Sequence, residues 1–230
     1  MSVEHCEAIA ECRREIHAIN KSHILFLDET ALRVNAAPTS TIVAPGETPY
    51  VIVDDDTAYA RRYDMIACCS YDRVFPPKVY SPNERREEGV KGINTAMLIS
   101  YIQDILAQAV GAMDVYPIIL VLDRSRIHNI DEIKQAFHDW GCQELTDVIK
   151  MPTQAAKRMS PLDNSLFHDW KERIRLRGRI TSANIEQVMA DEWNNTKVKS
   201  IQSCYHHCLL FQRQDVYADC PLPSQHKHNN

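Results

Sequence analysis

No stretch of this 230-residue chain approaches the roughly 20 consecutive apolar residues that a membrane-spanning helix needs, so no such helix is expected. The opening segment, MSVEHCEAIAECRREIH, carries acids and no apolar core, which is unlike a signal peptide. An excess of positive charge is also missing. With 26 Lys and Arg against 31 Asp and Glu, the net charge is −5 and the pI near 6.1. That balance does not suggest a tight, free-standing DNA binder, which is usually basic, so any nucleic-acid role must rest on local basic patches or bound cations. The eight cysteines form no regular framework. Two are adjacent, Cys68 and Cys69, and on a strand they would point to opposite faces as reduced, partly buried thiols. A reducing, intracellular compartment is therefore expected. No internal repeat or low-complexity tract is present.

What is there is an ordinary apolar fraction of 44%, a charged fraction of 25%, and enough length for one sizeable core. Residues 3 to 19 show helical spacing of Val3, Ile9, Ala10 and Ile16. HILFLDET reads as a short strand ending on Asp28. STIVAPGETPYVIVDD reads as two extended pieces around a Pro45-Gly46 turn, and RYDMIACCSYDRVFPPKVYSP as a strand, a turn near Asp72-Arg73 and a proline-interrupted extension. The stretch NERREEGVKGINTAMLISYIQDILAQAVG starts polar and then carries a helical stripe of Ile93, Met97, Ile102, Ile105 and Leu106. PIILVLD is a strand, NIDEIKQAFHDWG a helix stopped by Gly141, and TDVIKMP a brief strand. SPLDNSLFHDWKERIRLRG, SANIEQVMADEWNN and KVKSIQSCYHHCLLFQR are three more helices, and PLPSQHKHNN is expected to be disordered. The order predicts an α/β fold with a mixed sheet, an antiparallel meander extended by parallel strands.

Two strands end in the same way, FLDET at Asp28 and LVLDRS at Asp123. If they are neighbours, both acids emerge at one sheet edge, where carboxylates repel each other unless a positive charge intervenes. Hard carboxylate oxygens favour magnesium or manganese for that role. A third acid, Asp163, opens the helix LDNSLFHDW and could approach the same edge.

These residues resemble the catalytic domain of mariner-superfamily DDE/D transposases. FLDET resembles the first motif, an apolar strand ending in Asp-Glu. LVLDRSRIHN resembles the second, with His128 five residues after Asp123. SPLDNSLFHDWK resembles the third, in which Leu166 and Phe167 follow Asp163 by three and four residues. The interval between Asp123 and Asp163 is 39 residues, compatible with the aspartate-ending branch, and VAPGETPYVIV resembles the second-strand segment. The ordered motifs cover roughly residues 20 to 178. Arg124 departs from the usual Asn beside the second acid. The Ser-Pro-to-acid interval is short, which leaves Asp169, just before Trp170-Lys171, as a rival third acid. The family's paired helix-turn-helix region would precede the first strand, where only about 22 residues stand.

The resemblance implies a ribonuclease-H-like mixed five-stranded sheet, three antiparallel strands then parallel ones, flanked by helices. It implies an N-terminal helix or linker (1–22), a catalytic core (23–178) and a C-terminal helical extension with a disordered tail (179–230). It implies two magnesium or manganese ions on Asp28, Asp123 and Asp163, and cutting and joining of phosphodiesters at transposon ends. Arg124, Arg126, His128, Lys157, Arg158, Lys171 and Arg175 are then candidates for DNA contact. The expected partners are transposon-end and target DNA, a second copy of the chain, and a separate DNA-binding chain.

Plainer readings stand beside these. Asp28 and Asp123 could be strand-end caps and Asp163 a helix N-terminal acid. Glu29 reads as a solvated neighbour. His128 reads either as orienting DNA or a carboxylate, or as local packing. KERIRLRGR fits a solvated helix face as well as a phosphate track. In CYHHC, Cys204, His206, His207 and Cys208 suggest zinc with Cys220 or the tail histidines, but Ile201, Tyr205, Leu209 and Leu210 around them make a packing helix the expectation. At the level of function, the alternatives are a catalytically idle interaction module derived from a transposase, or a stand-alone nuclease of the same fold.

Overall fold

The structure is a computed structural model, and it describes residues 2–33, 43–48, 62–113, 115, 117–177 and 180–210. Its centre is a five-stranded sheet in the order β3-β2-β1-β4-β5. The strands are β1 (Ile24–Arg33), β2 (Arg62–Cys69), β3 (Lys78–Tyr80), β4 (Ile118–Leu122) and β5 (Leu145–Lys150). β1 pairs antiparallel with β2 and β2 with β3, while β4 is parallel to both β1 and β5. This is the mixed sheet expected from sequence, a meander extended by crossovers.

The strands in the middle of the sheet read as unbroken apolar runs because both of their faces are covered. Ile24 and Phe26 of β1 join one core cluster, and Leu25 and Leu27 join the other. Cys68 and Cys69 divide in the same way, one to each side. Burial pushes both thiols well up, which makes them poor nucleophiles.

Over the first face lie α1 (Val3–His17), α6 (Ala156–Met159), a π-helical turn (Leu162–Leu166), α7 (Phe167–Leu176), α8 (Ile185–Asn194) and α9 (Val198–His207). The segments expected as linker and extension thus bury Ile9, Ile16, Met189, Trp193 and Tyr205 in the same cluster as Phe26 and Trp170. Over the second face lie α3 (Thr95–Tyr101), a π-helical turn (Ile102–Leu106), α4 (Ala107–Gly111) and α5 (Ile130–Asp139). The short α2 (Pro82–Glu87) opens on a capping box in which Ser81 and Glu84 satisfy each other's backbone N–H groups.

Three sequence expectations change in detail. The second and third strands both come from the stretch 62–80, divided by a turn in which the Ser70 N–H donates to the Arg73 carbonyl. The two extended pieces expected around Pro45-Gly46 lie largely outside the described residues, although the turn itself is seen, with the Glu47 N–H donating to Ala44 O. The polar start of the long helical stretch folds separately as α2, and the helix proper begins where Asn94 caps the Met97 N–H. Among the described residues no helix is long and apolar enough to cross a membrane.

Candidate active site

Asp28, expected at a strand tip, lies in mid-strand, because β1 continues to Arg33, held there by β2 alone after its parallel partner β4 has stopped at Leu122. Phe26 pairs with Val121, so two residues on along both strands stand Asp28 and Asp123. Alternation turns Asp28 toward the face covered by α7 and Glu29 toward the face covered by α5. The parallel ladder therefore places the two acids side by side while one strand ends and the other runs on.

Asp28 is buried, and its Oδ1 accepts the Glu29 backbone N–H at 2.8 Å. Burial, and then the charges of Asp163, Glu29 and Asp123, push its carboxyl well above the usual carboxylate range. Asp163 sits in the π-helical turn that follows Ser160 and Pro161, a type of distortion common at functional positions. Its carboxyl is hydrogen-bonded to that of Asp28. It is also raised, by desolvation first and by the charge of Asp123, with Lys157 acting in the opposite sense. A hydrogen bond between two carboxyls needs a proton on one of them, and both shifts favour one being there.

Asp123 is held differently. Its Oδ1 accepts the Ser125 N–H at 2.8 Å and the His128 Nδ1–H at 2.7 Å. The His128 bond is the main reason its carboxyl lies below the usual range. The His128 side chain is wholly enclosed, and its Nε2 lies 2.9 Å from Glu29 Oε1. Burial alone would lower this imidazole, but the bonds to Asp123 and Glu29, together with their charges, raise it to about 10. The expectation that Glu29 is merely a solvated neighbour fails, since it closes this buried contact.

Asp28, Asp123, Asp163 and Glu29 thus share one electrostatic neighbourhood. Even so, among the described residues no set of three or more His, Cys, Asp or Glu side chains is arranged to hold a metal ion as the side chains lie. Each carboxylate has a partner within the protein: Asp163 with Asp28, and His128 with Asp123 and Glu29. Asp169, the rival third acid, is exposed on α7 and is not among the main charges acting on Asp28 or Asp123.

No family model matches the chain, and no curated protein does. Solved structures do. The chain is similar to the Mos1 transposase paired-end complex with left transposon end, at TM-score 0.66 and 12% identity, over 90% of this chain and 60% of that one. It is similar to the Mos1 mariner paired end complex with Mn at the same score, identity and coverage. It is also similar to the catalytic domain of Mos1 mariner transposase, at TM-score 0.60 and 10% identity, over 90% of each chain. The fold is that of a mariner transposase catalytic domain. The chain spans 60% of the length of the Mos1 chain in the paired-end complex and 90% of the Mos1 catalytic domain alone.

On this Mos1-like frame the basic candidates differ in what they meet. Lys157 and Lys171 act electrostatically on Asp163, and burial holds the Lys171 ammonium below its usual range, followed by the charge of Arg175. Arg126 is exposed beside the acid-bearing loop, and Arg124 there donates from Nε to Met151 O at 3.1 Å. Arg175 is ion-paired with Glu172, and the Arg158 carbonyl receives Arg13 at 2.9 Å. Lys150 was missed from sequence. It ends β5, and its charge helps lower Asp123. Its signal was a third strand of the parallel set ending on a charged residue. Cys204 and Cys208 are buried core residues, whereas His206 meets the Tyr71 hydroxyl and His207 meets Asn164 Oδ1 at 2.5 Å. The packing reading of CYHHC accounts for these contacts, and Cys220 lies outside the described residues.

Proposed function

We propose that this chain is a transposase-type catalytic domain, a DNA endonuclease and strand transferase that acts on phosphodiesters at transposon ends. The observation that carries the reading is the placement of Asp28 beside Asp123 in the parallel register, with Asp163 brought onto Asp28 by the π-helical turn. The donor set fits a hard divalent cation. Asp28 and Asp123 each have one oxygen anchored by the protein, and the Asp28 carboxylate is destabilised by burial and then by surrounding negative charge. Asp28, Asp123 and Asp163 would hold two magnesium or manganese ions, which when bound supply Lewis-acid activation of the attacking oxygen and charge stabilisation of the leaving one.

The chain's own groups bind and orient. Arg126, Lys157 and Lys171 stand where a phosphate backbone would approach the acids, and Arg124 does so with part of its guanidinium committed to Met151 O. Transposon-end DNA, target DNA and a second copy of the chain are the proposed partners, together with a DNA-binding chain or segment to deliver the ends.

A second reading, an interaction module without activity, is favoured by one observation: as the side chains lie, the acids are paired with protein groups rather than grouped as ligands. Nicking of supercoiled plasmid with manganese separates the two. Wild type should nick, and Asp28→Ala and Asp123→Asn should each reduce the rate at least about 100-fold, the scale of losing a main transition-state electrostatic contact. Equal residual nicking by all three would leave only a contaminant and favour the idle module.

A further inference from the structure

We infer that Glu29 and His128 form a positioning relay that selects which oxygen of Asp123 faces a metal ion and couples its orientation to that of Asp28. The inference rests on the proposed ligand role of the two acids.

The His128 ring is pinned at both ends, 2.7 Å from Asp123 Oδ1 and 2.9 Å from Glu29 Oε1, with no solvent exposure of its side chain. A ring anchored at one nitrogen can still swing about its Cβ–Cγ bond, whereas one anchored at both cannot. Asp123 Oδ1 receives a second donor, the Ser125 N–H at 2.8 Å. Two donors on one oxygen leave Oδ2 as the atom free to coordinate. Asp28 shows the same division, because its Oδ1 takes the Glu29 N–H.

Glu29 therefore acts on both acids, through its backbone on Asp28 and through its side chain and His128 on Asp123. Strand alternation makes this possible: successive residues point to opposite faces, so a single Asp-Glu pair can place a ligand on one side and its supporting carboxylate on the other.

The test is manganese affinity of the purified whole chain, measured by the electron paramagnetic resonance of free Mn2+, with thermal melts confirming that each variant is folded. Wild type should bind. Glu29→Leu should weaken binding about 10-fold and His128→Leu about 10- to 100-fold, the range seen when an outer-shell partner is removed. His128→Asn, which keeps a donor for Asp123, should recover part of the loss. If Glu29→Leu and His128→Leu are folded and bind as tightly as wild type, the relay is overturned while the metal reading stands. If wild type takes up no manganese, both are overturned together. Should His128→Leu fail to fold, Glu29→Leu decides the question, since it removes the acceptor for the Nε2–H and leaves the bond to Asp123 in place.

Discussion

Asp28 lies buried in mid-strand, hydrogen-bonded to Asp163 and within reach of the negative charges of Glu29 and Asp123. At the scale of the residue this arrangement costs stability. Because the folded-state pKa is raised, the native chain holds a proton that the unfolded chain releases at a lower pH. The associated stability is present below the ordinary carboxylate range and is lost as pH rises through the raised value. Asp28→Asn should therefore melt higher than wild type at neutral pH without divalent metal, and the difference should shrink as pH falls toward 4, near the ordinary carboxylate pKa. Thermal melts across that range check it, and a variant that melts lower at every pH would contradict the electrostatic account. The acids themselves were legible in sequence, since a carboxylate after an apolar run stands out. The role of Glu29 was not, because nothing local indicates that His128, 99 positions away, closes onto it.

Among the elements, the clearest agreement between sequence and structure is the end of α5. Gly141 has φ +83°, its N–H donates to His138 O at 2.8 Å, and the Cys142 N–H reaches Phe137 O at 2.9 Å. A Cβ there would meet nothing within 4 Å, so the requirement is purely one of backbone conformation. Gly141→Ala should cost about 1–2 kcal/mol, the usual penalty for a left-handed L-residue, lowering the melting midpoint by roughly 2–8 °C. Denaturant or thermal unfolding measures it, and no change would mean the turn can relax to another conformation. Other boundaries were less legible. The split of the segment 62–80 into β2 and β3, and the π-helical turn that carries Asp163, depend on partners: Asp64 pairs across the sheet with Tyr80, and Leu162 and Leu166 are drawn into the core. Period alone cannot distinguish a π-helical turn from an ordinary first helical turn.

For the whole molecule, net charge governs encounter with DNA. With a net charge of −5 and its basic candidates confined mainly to Arg124, Arg126, Lys157 and Lys171, the chain alone should bind duplex DNA weakly and without sequence preference. About four phosphate contacts would give a slope no steeper than about −4 in a plot of log affinity against log salt. Fluorescence anisotropy over a salt series checks this, and tight, sequence-selective binding would reveal a reading surface elsewhere. Fusion to a DNA-binding module should raise cleavage through local concentration and still require Asp28 and Asp123.

Local patterns along the chain are enough to predict the layered α/β architecture, the apolar strands, the stop at Gly141 and the acids at Asp28, Asp123 and Asp163. Each of these is written in periodicity, turn chemistry or local contrast between neighbours. Long-range packing sets the rest: β1 runs past its acid, Asp163 rather than Asp169 meets Asp28, and His128 joins Asp123 to Glu29. These outcomes depend on strand register and on contacts between residues far apart in the chain, where a shift of one position would turn each side chain to the other face of the sheet.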